Sequence, residues 1–371
     1  MRSVLSGRLR AHLLWIVATV VLGSTARAHA QEPIVVNLRA VGYPSSCEFL
    51  SLDTYLFGAH YLEFLDSSHL LVKFPLQVSD CPRDGFSSPT DFRSVVIETS
   101  GKIAASQNWS RPQVSNMVAG PDGRIIEVVP GGIRLLDDSF HVVQEISLPQ
   151  RNFPPSTFPS TWAIQLAPSR HAFAAVYPEF IGRGFNGLAV YFAGPQPFHQ
   201  TMSLDTDNVL VGDGVLLPAN WMRGQNVDKR SVELNAESYS CQDGYWIAVL
   251  PANRPVCLTA GYKLVALTPE GGRRLIADVH SLAPGSWNSW FGYLTTNEAA
   301  QRLLLDSVGV RFPVTDSWGL GGYRNIAVYD LNLGQQVFRK GIPFKSAIAI
   351  SPDGHLVAVE EKTKISIYHL R

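Results

Sequence analysis

The chain ends in "SAIAISPDGHLVAVEEKTKISIYHLR" (346–371). Three short apolar runs lie here, separated by a tight S-P-D-G turn and a charged E-E-K-T-K turn. Pro presets a turn's backbone angle, Asp caps it locally, and Gly accepts the positive φ that other residues resist. Strands of this length with alternating apolar residues pair into a sheet. Three strands with nothing after them leave an exposed edge, and a fourth must come from elsewhere in the chain.

The same pattern recurs upstream. "GPDGRIIEVVPGGIRLLDD" (120–138) aligns with 351–369 turn for turn. "APSRHAFAAVYPE" (167–179) with "LAVYFAG" (188–194) is a third copy, and "TNEAAQRLLLDSV" (296–308) with "IAVYDLNLGQQVFRK" (326–340) a fourth. "LDSSHLLVKF" (65–74) with "SVVIETSGKIAAS" (94–106) is a fifth, and "CQDGYWIAVL" (241–250) with "KLVALTPEGGRRLIAD" (263–278) a sixth. A weaker seventh is "DTDNVLVGDGVLLP" (205–218). Second strands starting at 70, 125, 172, 215, 246, 303 and 356 step by about 48 residues, the period of a four-stranded propeller blade. The expected fold is all-β, a single β-propeller of seven four-stranded blades, with six as the alternative. The missing strand is "PIVVNLRAVG" (33–42), expected to pair beside Ile365–Leu370 and close the ring.

These residues carry a family resemblance. The turns at 351–354 and 120–123 and the I-A-V-Y-D strand at 326–330 resemble bacterial propellers of the WD-repeat, Tol-type and lactonase-like groups. The resemblance spans nearly all of residues 31–371 and implies architecture. No Trp-Asp dipeptide ends a third strand and no Gly-His pair opens a blade, so no functional residue carries over.

Composition agrees with many short strands: Gly 30, Pro 24, 46% hydrophobic and 17% charged residues. Residues 1–30 read as a signal peptide. Arg2, Arg8 and Arg10 make a basic n-region, "LLWIVATVVLG" (13–23) is an apolar stretch too short to span a bilayer, and "AHA" (28–30) fits a cleavage site. The expected domains are therefore 1–30, removed, and 31–371, the propeller, with periplasmic or secreted localisation and no later membrane span. Cleavage removes four Arg, so 31 basic against 31 acidic residues becomes 27 against 31. A mildly acidic chain does not attract a phosphate backbone, which argues against nucleic acid as a partner.

Four cysteines, Cys47, Cys81, Cys241 and Cys257, lie in the exported part and read as two disulfides. Proximity favours 47–81 and 241–257, with three connectivities open. In the propeller frame, Cys241 precedes a turn and Cys257 follows the second strand, a strand's length of roughly 17–20 Å away. A bridge needs Cα atoms within about 7 Å, so either that blade is irregular or that pairing is wrong.

In propellers, by analogy, the turns joining strands one to two and three to four share one end. Those joining strands two to three, and blade to blade, share the other. The first set is short throughout this chain. The second holds the long segments 76–92, 149–162, 177–187, 280–293 and 306–325. Long ordered loops on a rigid scaffold tend to carry function. They hold Trp287, Trp290, Phe291, Trp318, Tyr323, Phe153, Phe158 and Trp162, with Arg183 among them. Such rings anchor proteins and sugars, or simply cap the spaces between blades.

Acid and base candidates at that end are Asp80, Asp84, Asp91, Glu179, His280, Asp306, Asp316, Arg183 and Arg311. No HExxH, GxSxG, phosphate-binding glycine loop or zinc-spaced Cys/His cluster occurs. His69, His171 and His355 sit where a turn enters a second strand and read as turn residues rather than ligands. The expectation is a monomeric, cofactor-free binding scaffold for a protein, peptide or glycan, its site including Trp287, Trp290, Phe291, Trp318, Tyr323, Trp162 and Arg183. The alternative is a propeller hydrolase or lyase with acids or His at the channel mouth.

Overall fold

The computed structural model describes residues 32–43, 61–76, 91–110, 114, 116–148, 163–181, 184–193, 200–204, 208–219, 231–234, 237–241, 244–250, 254–259, 261, 263–268, 272–278, 289–299, 302–311, 322–343 and 346–370. The fold is all-β, a single propeller with six four-stranded blades among the described residues. No helix among the described residues is long and apolar enough to cross a membrane.

Strand β1 (Ile34–Asn37) stands apart from its chain neighbours. Blade one is β2 (Tyr61–Phe64), β3 (His69–Pro75), β4 (Asp91–Glu98) and β5 (Ile103–Ser110). Blade two is β6 (Asn116–Ala119), β7 (Ile125–Val129), β8 (Gly132–Leu136) and β9 (Val142–Ser147). Blade three is β10 (Ala163–Leu166), β11 (Ala172–Ile181), β12 (Gly184–Ala193) and β13 (Gln200–Leu204). Two hairpins follow, β14 (Asn208–Gly212) with β15 (Val215–Ala219), and β16 (Ser231–Leu234) with β17 (Glu237–Ser240). Blade four is β18 (Gly244–Leu250), β19 (Arg254–Thr259), β20 (Lys263–Leu267) and β21 (Arg273–Asp278). Blade five is β22 (Ser289–Ala299), β23 (Arg302–Arg311), β24 (Gly322–Asp330) and β25 (Gln335–Ile342). Blade six is β26 (Ile348–Ile350), β27 (Leu356–Glu361) and β28 (Lys364–His369), with β1 as its outer strand.

The fourth strand of the terminal sheet is the expected one. β1 pairs antiparallel with β28, Ile34 opposite Ile367 and Val36 opposite Ile365. Each S-P-D-G-like turn does what its residues dictate: Gly123 has φ 74° and Gly354 φ 73°, and Asp122 joins the left-handed region at φ 53°. The weak seventh copy departs from expectation. Its residues form the two-stranded hairpin β14–β15, not a four-stranded blade, and β14 lies against β10 and β18.

Apolar faces of neighbouring blades share their cores. Leu70 and Val72 of blade one pack with Ala349, Leu356 and Ala358 of blade six. Leu71 and Val96 pack instead with Met117, Ile125 and Leu136 of blade two. The alternation of a strand therefore assigns one side chain to the blade before it and the next to the blade after it. At the same +4 position of the second strand, counted from its first residue, Lys73, Asp306 and Glu360 are all buried. Lys73 Nζ donates to Asn116 Oδ1 of the next blade at 2.6 Å. Burial and the charge of Glu360 push the Tyr43 hydroxyl up, and the two side chains are hydrogen-bonded.

The disulfide answers the puzzle of blade four. Cys241 and Cys257 are bonded, with Cα atoms 6.0 Å apart. The strand assignment differs from expectation by one: residues 244–250 form the first strand of the blade, not the second, and pair directly with β19. The hairpin then brings Cys257 back level with Trp246, near the point where the chain leaves β17. Cys47 and Cys81 lie outside the described residues.

Candidate functional site

Two ends of the propeller can now be compared. At the long-loop end, segment 177–187 is not a loop. β11 and β12 run on as a hairpin, with Tyr177 opposite Leu188 and Ile181 opposite Gly184. Segment 306–325 is likewise strand at both ends, Asp306 opposite Ile326 and Val310 opposite Gly322. β23 has 10 residues, whereas β19 before it has 6 and β27 after it has 6. At about 3.3 Å per residue, blade five extends roughly 13 Å further than both neighbours.

That extension collects several expected site residues. Ser289 lies opposite Arg311, with a register irregularity before Gly292, which lies opposite Gly309. Gly309 in turn lies opposite Tyr323. Trp290, Phe291, Arg311 and Tyr323 thus share one end of one sheet, a juxtaposition of residues from three strands. Trp162, Arg183, Trp287 and Trp318 lie outside the described residues, as do Phe153, Phe158, Asp80, Asp84, His280 and Asp316. Glu179 is on β11 opposite Asn186, and Asp91 opens β4 opposite Ser110.

Asp306 sits at the base of the extension, 7% exposed. Arg324, 4% exposed, donates from Nε to Asp306 Oδ1 at 2.9 Å and from Nη2 to Oδ2 at 2.7 Å. Its remaining nitrogen, Nη1, donates to the Ser346 carbonyl in the entry to blade six. The two-pronged pair ties β24 to β23 within blade five, and the Nη1 bond ties blade five to blade six, one residue from Tyr323. Loop-end aromatics of blade one are structural: Phe92 stacks on Trp109 at 4.6 Å, and the Trp109 indole N–H donates to buried Ser94 at 2.9 Å.

The turn end, plain by length, is where described titratable side chains interlock. Arg302 of blade five donates to the Gly354 carbonyl of blade six at 2.8 Å. Asp353 of blade six hydrogen-bonds Ser67 of blade one. A Cβ at Gly123 of blade two would lie 3.7 Å from Asp66 Oδ2 of blade one. His171 of blade three lies 2.5 Å from Asp122 of blade two. The Ser169 amide N–H donates to Asp213 of the β14–β15 turn at 3.4 Å. The His residues read as turn residues do serve their turns: Asp66 accepts the His69 amide at 2.8 Å and faces its Nδ1, and Asp353 accepts the His355 amide at 3.0 Å. No group of three or more His, Cys, Asp or Glu among the described residues could hold a metal ion.

These turns give a pH dependence. Burial opposes ionisation of Asp66, yet hydrogen bonds from His69 and Ser68 hold its carboxyl below its ordinary value. Burial likewise opposes ionisation of Asp353, and Ser351, the His355 amide and Ser67 overcome it. A carboxyl lowered by folding stabilises the fold above its unfolded value of about 3.9 and ceases to do so as pH falls through the folded value. The stability difference between the native chain and Asp353→Asn is therefore expected to be present at pH 6 and to shrink steadily below pH 4. Chemical denaturation across that range measures it, and a difference independent of pH would contradict it.

Comparisons with known proteins add similarity of form. No family model matches the chain, and no curated protein matches it. Among solved structures, a member of the DUF4221 family from Bacteroides vulgatus is similar at 10% identity over 92% of this chain and 97% of its own, with a TM-score of 0.41. An oligogalacturonate lyase in complex with manganese is similar at 10% identity over 84% of this chain and 88% of its own, with a TM-score of 0.47. The Dos1 propeller is similar at 11% identity over 84% of this chain and 67% of its own, with a TM-score of 0.32. No residue role is transferred from any of them.

Proposed function

We propose that this propeller is an exported binding scaffold. Its loop end, centred on the extended end of blade five, takes a protein, peptide or glycan partner. The observation that carries this reading is the register that brings Trp290, Phe291, Arg311 and Tyr323 to one end of a sheet outrunning both neighbours. Aromatic and Arg residues grouped on a rigid support are what binding surfaces concentrate their affinity in. Trp162, Arg183, Trp287 and Trp318 belong to the same proposed surface. Asp306, an acid candidate of the hydrolase or lyase alternative, is bonded through both oxygens to Arg324, an arrangement that suits a structural role. Export rests on residues 1–30 as a signal peptide and agrees with the Cys241–Cys257 bridge.

The test uses the exported chain, expected to begin at Gln31, on a glycan array and a displayed peptide library. Trp290→Ala and Tyr323→Ala are each expected to weaken the strongest binder at least tenfold, while Leu333→Ala, at an exposed turn-end residue, leaves it unchanged. Binding indifferent to both aromatic substitutions would overturn the assignment of the site.

A further inference from the structure

Arg170 belongs to the first turn of blade three, yet its side chain does not stay there. Its Nη2 donates to the carboxylate of Glu63 and its Nη1 to the carbonyl of Phe64, both on the first strand of blade one. The contact joins blades one and three, which are not consecutive in the chain. Both side chains are nearly buried, 13% and 12% exposed, although they stand at the end of a sheet. The backbone of the same residue serves blade two, its carbonyl accepting the Asp122 amide at 2.9 Å. Its own N–H donates to the Ala167 carbonyl at 2.9 Å. Arg170 also has φ 60°, a left-handed conformation that a long side chain adopts only when its surroundings impose it. The neighbouring turn side chains, Asp66, Asp122 and His171, leave the guanidinium to Glu63 and point their own bonds elsewhere.

We propose that residues 167–171 are a strap across the turn end of the molecule, and that Arg170 locks blades one, two and three into a single opening unit. An ordinary propeller seam joins a blade to the next one only. Here one strained residue holds a charge partner two blades away and a backbone partner one blade away, so none of the three turns can lift without breaking bonds of the others. The guanidinium and carboxylate cannot separate cheaply, because each would be left nearly buried and without its counter-charge.

Amide hydrogen exchange on the full exported chain tests this. Three amides report on three turns: Leu65, bonded to the His69 carbonyl, Asp122, bonded to Arg170, and Arg170, bonded to Ala167. Arg170→Gly keeps the left-handed backbone without strain and removes only the side chain. The expected result is that peptides covering 65–68, 120–124 and 167–171 all exchange at least tenfold faster. The turn amide of Gly354, bonded to the Ser351 carbonyl in blade six, should keep its rate. Should Arg170→Gly fold poorly, Glu63→Gln, which keeps shape and removes charge, must produce the same three-turn acceleration. Acceleration confined to 167–171, or none, would overturn the strap.

Discussion

Asp306→Ala is expected to destabilise the propeller by about 3–5 kcal/mol. The substitution removes a small side chain, so the loss comes from what remains. Arg324 is 4% exposed and would keep its charge with both of its carboxylate bonds gone. Taking the bidentate carboxylate away from a buried guanidinium costs more than the pair is worth in total, since the pair itself has already given up its hydration. The double replacement Asp306→Leu with Arg324→Met should recover most of the loss, because an apolar pair of similar volume needs no counter-charge. Urea denaturation of the three variants decides it. A single variant within 1 kcal/mol of the native chain would show that water reaches the pair. The double variant has a second use: Arg324 is adjacent to Tyr323 on β24 and bonds the entry to blade six, so a stable protein lacking the pair should still bind more weakly if the extended end must be held in place.

The second large effect is expected at the disulfide. Cys241 and Cys257 are 1% and 3% exposed and share a core with Tyr239, Val249, Val265 and Leu267. The bridge closes a loop with a sequence separation of 16, for which loss of the cross-link corresponds to about 3 kcal/mol. Cys257→Ser should lower the unfolding free energy by that amount, with a correspondingly lower denaturation midpoint, and Cys241→Ser with Cys257→Ser by no more. Adding reductant to the native chain should approach the same midpoint, and to the double variant should shift it less. Because Cys241 directly follows β17, the bridge joins the two-hairpin segment to blade four, and the first amides to lose protection should lie in β16–β17. An unchanged midpoint in the single variant would mean that the core around the sulfurs, rather than the bond, holds that junction.

Much of the architecture was legible in the chain because it rests on local rules. Alternating apolar residues mark a strand, P-D-G marks the turn, and repetition at a near-constant interval marks a blade. The orphan strand expected over 33–42 was legible for the same reason, since an incomplete terminal sheet calls for one more strand; Ile34–Asn37 pair with β28, while Leu38–Val41 turn away as a short 3-10 helix. Those rules do not say which strand of a blade is first. Residues 241–250 carry Gln-Asp-Gly before an apolar run and look like a first turn entering a second strand, whereas the fold uses them to enter β18. That one-strand shift is what made the true disulfide look unreachable. Nor do local rules show where a hairpin ends. Residues 177–187 read as a long loop by their place in the repeat, but pairing across the hairpin continues from Tyr177 opposite Leu188 to Ile181 opposite Gly184.

What the sequence by itself determined is the strand period, the turn chemistry and the strand that completes the last sheet, since the first two follow from local and repeated pattern and the third from the sheet left one strand short. What only the tertiary structure decided is every bond between blades: Arg324 to Ser346, Asp122 to His171, Arg170 to Glu63. Arg170 and Glu63 are 107 positions apart, and no periodicity relates them. The physical reason is that a strand's alternation assigns each side chain to a seam but not to a partner. The partner depends on the angle and spacing at which blades pack, and on which buried charges must find one another once water is excluded.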